Sequence, residues 1–220
     1  MTWDPFGTIR NALWIGGGQW AGKSTVARLL AVRYGLTAYH HDYHDARGHD
    51  DRRLAHRVRS GQSAERPDPE REWVTATPQE MAEAALADFE LRFEWILDDL
   101  RALVSGRPVL AEGWGLRPHL VAPILDSPRR MVLLVPTPQF RRRQVAELPR
   151  AGALGVPVSD PERAQRNRLA RDELVAAAAA DSARRLGVRV IEVDGSGGPE
   201  AVAHMVADHF GPYLHRVSTD

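Results

Sequence analysis

The chain contains no cysteine, which excludes disulfides, thiolate metal sites and cysteine nucleophiles together. It has one lysine, Lys23; the other 28 of its 29 Lys and Arg residues are arginine. Charge of neither sign is in excess, since 29 acidic residues balance the 29 basic ones. A nucleic-acid partner, which needs a strongly basic surface, is therefore not expected. No apolar run approaches the length of a membrane span. Met1–Arg10 has no apolar core flanked by positive charge, so no secretory signal is read there and a cytoplasmic location is expected. At 220 residues, a single domain with a substantial core is expected, as a monomer or homodimer.

The lone lysine lies inside Gly17-Gly18-Gln19-Trp20-Ala21-Gly22-Lys23-Ser24, a complete G-x-x-x-x-G-K-[ST] phosphate-binding loop. Wherever a generic positive charge suffices, the chain uses arginine. A planar guanidinium cannot replace a compact ammonium curled over the β- and γ-phosphates of a nucleotide. The apolar run Ala12–Ile15 precedes the loop, and a helix-forming stretch from Thr25 to Tyr34 follows it. Strand, glycine loop and helix together aim backbone N–H groups and a helix N-terminus at an anion. Gly17 to Ser24, with Thr25 behind them, are the expected nucleotide-binding residues. The Ser24 hydroxyl is placed to ligate Mg²⁺.

Five short apolar segments alternate with helical patterns: Ala12–Ile15, Ala38–His41, Pro108–Ala111, Met131–Pro136 and Val188–Val193. This alternation predicts a parallel sheet with right-handed crossovers. Helical spacing of apolar residues predicts a long helix over Glu80–Val104, and further helices over Pro138–Arg150, Glu162–Leu186 and Ala201–Phe210. The polar stretch Asp42–Pro78 reads as a helix followed by a mobile loop, Gly152–Pro161 as a loop, and the tail beyond Gly211 as loosely held. Trp73 and Trp95 read as packing residues.

Two carboxylates stand at expected strand ends, where ligands sit in open α/β sheets. Asp42 follows the second strand, nineteen positions after Lys23, and can take the proton of a hydroxyl attacking a γ-phosphate. Glu112 closes the third strand and can orient Mg²⁺ directly or through water. Beside it, Trp114 is a candidate wall of an acceptor pocket between Gly113 and Gly115. The run His40, His41, His44 and His49 with its neighbouring aspartates matches no compact metal motif.

The phosphate loop, Asp42 and the later arginine-rich segment together resemble the P-loop small-molecule kinases, the nucleoside-monophosphate-kinase-like enzymes that include shikimate kinase, gluconate kinase and chloramphenicol phosphotransferase. The resemblance implies a three-layer α/β P-loop NTPase fold with a five-stranded parallel sheet and helices on both faces. It also implies a helical acceptor-binding insert over 43–78 and a lid over 141–171. Carried over, Lys23 stabilises the transferring phosphoryl group, Asp42 contacts the acceptor hydroxyl, and lid arginines, here Arg143, Arg166 and Arg171, close on the phosphates. Asp194-Gly195-Ser196 falls where such kinases contact adenine. Shikimate kinase has Asp-x-Asp at the second strand end, whereas this chain has His40-His41-Asp42, which argues against shikimate as substrate.

The function these features imply is ATP- and Mg²⁺-dependent transfer of the γ-phosphate to a hydroxyl of a small molecule. The polarity and length of 42–78 suggest a hydroxyl-rich acceptor. The alternatives are a non-catalytic or regulatory nucleotide-binding module and a nucleoside monophosphate kinase, in which Arg47, Arg52 or Arg53 would face the acceptor phosphate. A GTPase is disfavoured because guanine recognition by Asn-Lys-x-Asp needs a second lysine.

Overall fold

The computed structural model describes residues 3–65, 67–148 and 155–214, without the side chain of Arg47. Its strands are β1 (Leu13–Gly17), β2 (Thr37–His40), β3 (Val109–Glu112), β4 (Met131–Pro136) and β5 (Arg189–Val193). Its helices are α1 (Thr8–Asn11), α2 (Lys23–Tyr34), α3 (His41–Arg47), α4 (Asp50–Arg59), α5 (Pro78–Ala102), α6 (Pro118–Val121), α7 (Pro138–Glu147), α8 (Pro161–Arg185) and α9 (Gly198–Phe210). The strands pair in parallel in the order β2-β3-β1-β4-β5. All five expected strands are present, with ends displaced by at most two residues. The expected Arg150 helix end and the stretch 149–154 of the lid lie outside the described residues, as does the tail 215–220.

The two-residue period of β1 divides the core between two layers. Trp14 points to one face, where it meets Phe93, Ile96 and Leu100 of α5 and Ala179 and Ala183 of α8. Leu13 and Ile15 point to the other, against Val26 and Leu30 of α2 and Val206 and Phe210 of α9. The alanines of α8 let that long helix lie close to the sheet. Both long helices start on strong signals. Thr77 and Glu80 form a reciprocal capping box with Pro78 at the first helical position of α5, and Asp160 accepts the Arg163 N–H at the start of α8.

The segment after β2 differs from the helix and mobile loop expected for 42–78. The strand ends at His40, so Asp42 lies in the first turn of α3 rather than on the strand. Helix α4 buries none of its residues. Its charges complement the helix dipole instead, with Asp50 and Asp51 in the first turn and His56, Arg57 and Arg59 in the last. The chain then forms a wide π-helical turn over Glu70–Thr75. Asn167 of α8 holds this turn by donating to the carbonyls of Trp73, Val74 and Ala76 at 3.1, 3.4 and 3.3 Å. Ser159 adds a second tie by donating its backbone N–H to Glu70 at 2.9 Å. Among the described residues no helix is long and apolar enough to cross a membrane.

Arg117, after β3, is 1% exposed. One of its nitrogens donates to the Val175 carbonyl at 2.9 Å, while Nε and Nη1 have no hydrogen-bond partner among the described residues. Its guanidinium lies 5.6 Å from the Phe89 ring centroid, and burial lowers its pKa to about 10. Holding this unneutralised cation in the core opposes folding. Arg117→Met is expected to raise the free energy of unfolding by about 1 kcal/mol in urea titrations; a loss of that size would show that Arg117 is a net stabiliser.

Candidate functional site

The phosphate loop leaves β1 through Gly17, at φ 125°, a conformation closed to other residues. A side chain there would also strike the Leu134 backbone of β4. The Gly18 N–H then donates to the Leu134 carbonyl at 2.9 Å. Trp20 sits at φ 65°, the one non-glycine with positive φ among the described residues, and a bulky residue there carries local strain. Gly22 caps α2 in the left-handed region. Lys23 opens that helix and is 5% exposed. Its side chain curls back so that Nζ donates to the Gly18 carbonyl at 2.9 Å, which places the chain's lone ammonium across the loop's concave side.

Two carboxyl groups are brought to the same strand ends. The Gly113 N–H donates to the Ile15 carbonyl at 3.1 Å, so Glu112 ends level with the start of the phosphate loop. Glu112 is fully buried. Its Oε1 accepts from His40 Nδ1 at 2.7 Å, and this hydrogen bond raises the His40 pKa. Its Oε2 has no hydrogen-bond partner among the described residues. Asp42 accepts the Trp114 N–H at 2.9 Å. Burial pushes the Asp42 carboxyl up, while the Lys23 ammonium and the Trp114 N–H pull it down. The approach of α3 requires glycine on the β3 loop, because a Cβ at Gly113 would lie 2.7 Å from His41 Cβ and one at Gly115 would lie 2.6 Å from His41 Nε2.

The residues fit a Mg²⁺–nucleotide. The unsatisfied Glu112 Oε2 and the Ser24 hydroxyl at the start of α2 could both serve the ion, and the glycine loop with Lys23 presents donors to phosphate oxygens. Beside the loop, a cavity of about 520 Å³ is lined by Gly22, Thr25, Phe140, Arg143 and Gly195. Arg143 reaches the Asp194 carbonyl at 3.4 Å. The Asp194 side chain turns away to accept from Ser196 N and Oγ at 2.9 and 2.8 Å.

The other proposed arginines part company. Arg166 has a side chain 66% exposed and pairs only loosely, at 3.7 Å, with Glu162, so it is not brought to the phosphate loop. Arg171 lies in a second, larger cleft of about 1130 Å³ between α4, the π-helical turn and α5. There it pairs with Asp172 at 2.7 Å and lies 5.3 Å from the Trp73 ring and 4.9 Å from the Trp114 ring. Trp73 is thus a cleft residue, not only a packing one; an indole within a polar stretch of the sequence was the available signal. Trp95 packs edge-on against His49. Arg53 is paired with Asp45 at 2.7 Å and Asp50 at 3.2 Å, Arg52 is exposed, and the Arg47 side chain lies outside the described residues. No cluster of three His, Asp or Glu side chains among the described residues could hold a metal ion by itself. The histidine run instead serves the fold, His49 Nε2 lying 2.8 Å from Asp99.

A glycine loop between the central strand and α2, in a parallel sheet ordered β2-β3-β1-β4-β5, decides the architecture. The fold is the three-layer α/β fold, with a five-stranded parallel sheet and helices on both faces, that the sequence resemblance implies. No family model and no curated protein matches the chain. Among solved structures, shikimate kinase from Acinetobacter baumannii in complex with shikimate is similar at 17% identity and TM-score 0.49, over 94% of this chain and 96% of that one. A sugar kinase from a Janibacter species is similar at 13% and 0.43, over 94% and 99%. Shikimate kinase from Aquifex aeolicus is similar at 18% and 0.42, over 91% and 96%.

His41 gives a pH prediction. Burial lowers its pKa from 6.5 to about 4. The folded state therefore resists a proton that the unfolded chain accepts. Its contribution is fully present above pH 6.5 and is lost as pH falls toward 4, with a limiting slope of about 1.4 kcal/mol per pH unit. Urea midpoints at pH 7 and pH 5 should converge for His41→Asn relative to wild type. Equal pH dependence in both proteins would mean that His41 does not titrate this way.

Proposed function

We propose that the protein is an ATP-dependent phosphotransferase that moves the γ-phosphoryl group to a hydroxyl of a small molecule. The observation that carries this reading is the convergence of three groups at one set of strand ends. These are the buried Lys23 folded onto the Gly18 carbonyl, the Glu112 oxygen without a hydrogen-bond partner among the described residues, and the half-buried Asp42. In this reading the base of ATP enters the cavity between Thr25, Phe140 and Gly195, and the phosphates lie on the N–H groups of the loop. Ser24 and Glu112 would hold Mg²⁺, which would supply neutralisation of phosphate charge.

The acceptor approaches from the larger cleft, whose lining includes Trp114, the residue whose N–H also orients Asp42. The acceptor oxygen forms a bond to the γ-phosphorus as the bond to the β–γ bridging oxygen breaks, and ADP leaves. The acceptor's hydroxyl proton passes to Asp42. The upward shift of Asp42 suits that role, since a carboxylate whose pKa is raised by burial is a stronger base than a fully solvated one. Lys23 stays on the transferring oxygens, where negative charge is spread in the transition state.

Asp42→Asn keeps the shape and removes the base. Acceptor-stimulated ADP formation is expected to fall about 10²–10⁴-fold, with affinity for MgATP measured by calorimetry changed less than about threefold. Undiminished turnover in Asp42→Asn would remove Asp42 from the reaction.

A further inference from the structure

The larger cleft reads as the acceptor side of a phosphotransferase, and on that reading its electrostatics narrow the acceptor. We propose that it takes an uncharged, ring-bearing polyhydroxyl compound, of the chemistry of a neutral sugar, cyclitol or nucleoside, and discriminates against acceptors bearing a carboxylate or phosphate.

The cleft is lined by four arginines and four carboxylates, so it presents no net charge. Its two least exposed guanidiniums, the buried Arg92 and the half-buried Arg171, are already paired within the chain. Arg92 is 5% exposed; its Nε donates to the Asp88 carbonyl at 3.2 Å, its Nη2 pairs with the Asp88 carboxylate at 2.8 Å, and its Nη1 pairs with Asp45. All three nitrogens are used within the protein. Arg171 gives Nε and Nη2 to Asp172 at 2.9 and 2.7 Å, which uses one whole edge of the guanidinium, and both indoles lie against it. An incoming anion would have to compete with Asp88 and Asp45 for Arg92 and with the buried Asp172 for Arg171, which weakens its binding.

The carboxylates of the cleft point the same way. The half-buried Asp88 has its pKa raised by burial, so it already resists negative charge and a further anion beside it is opposed. A hydroxyl, by contrast, donates to a carboxylate at no charge penalty. Trp73 and Trp114 border the cleft and supply flat apolar surface for the faces of a ring. Of the remaining arginines, Arg71 is exposed, where solvent and salt screen it, and the half-buried Arg57 donates to the Glu65 carbonyl.

The test uses the full chain and matched pairs of compounds: glucose with glucuronate, methyl shikimate with shikimate, and uridine with uridine 5′-monophosphate. Binding is read by indole fluorescence without ATP, and turnover by ADP formation with MgATP. The neutral member of the best-binding pair is expected to bind about tenfold or more tightly than its anionic partner, with the fluorescence change reduced in Trp73→Phe. Asp172→Asn, which releases Arg171, is expected to shrink that preference by about tenfold. Anions binding as tightly as their neutral partners, or no neutral compound binding at all, would overturn the proposal. Neutral binding without ADP formation would retain the acceptor class and reject phosphotransfer; ADP formation with anions alone would do the reverse.

Discussion

Where β1 runs out between β3 and β4, the Gly18 N–H donates to the Leu134 carbonyl at 2.9 Å and the Gly113 N–H to the Ile15 carbonyl at 3.1 Å. These two backbone bonds set the level at which the phosphate loop, Glu112 and the Trp114 turn emerge from the sheet. Lys23 can reach back to Gly18 only because that loop is held open beside β4. Trp114 can present its N–H to Asp42 only because β3 ends at Glu112, two residues before it. The two neighbours of the central strand therefore act as a jig. Parallel pairing, buried on both faces, has little freedom to slip, and that rigidity passes directly to groups that must be placed within fractions of an ångström.

The insert between β2 and α5 is attached by a different principle. It has almost no apolar core of its own, and α4 buries nothing. It is seated instead by a polar network. Tyr39 and His49 meet Asp99 of α5 at 2.8 Å each, and Asp45 is shared by Arg53 and Arg92. The Asp45 pKa is lowered even though its burial alone would raise it, because Arg92 and Arg53 outweigh desolvation. Such networks are weak sources of net stability but demanding in geometry. They orient the insert on α5 without filling the space beneath it, so the cleft stays open between them.

Much of this was legible in the amino-acid order. The lone lysine within Gly17–Ser24 identified the loop, and alternating apolar runs gave all five strands. Glu112 and Asp42 were visible as carboxylates at strand ends, although α3 begins one residue earlier than that reading placed it. The insert was harder. A helix such as α4, stabilised by end charges and by pairing with other helices, leaves no apolar period to detect. A π-helical turn pinned by Asn167, more than ninety positions away, has no local signature. The arginines were hardest of all, because a chain that uses Arg for nearly every positive charge hides the few that matter. Only the geometry separates the exposed Arg166 from Arg171 between its two indoles.

The central claim is that one loop and two carboxylates form a single phosphoryl-transfer centre. It is tested most directly by incubating the protein with γ-³²P-labelled ATP, Mg²⁺ and a pool of low-molecular-mass hydroxyl compounds, with Lys23→Ala in parallel. The account predicts that label appears on a small organic product in the wild type and that this product is absent with Lys23→Ala. Label found only as inorganic phosphate or on the protein, or an organic product formed equally by Lys23→Ala, would contradict it.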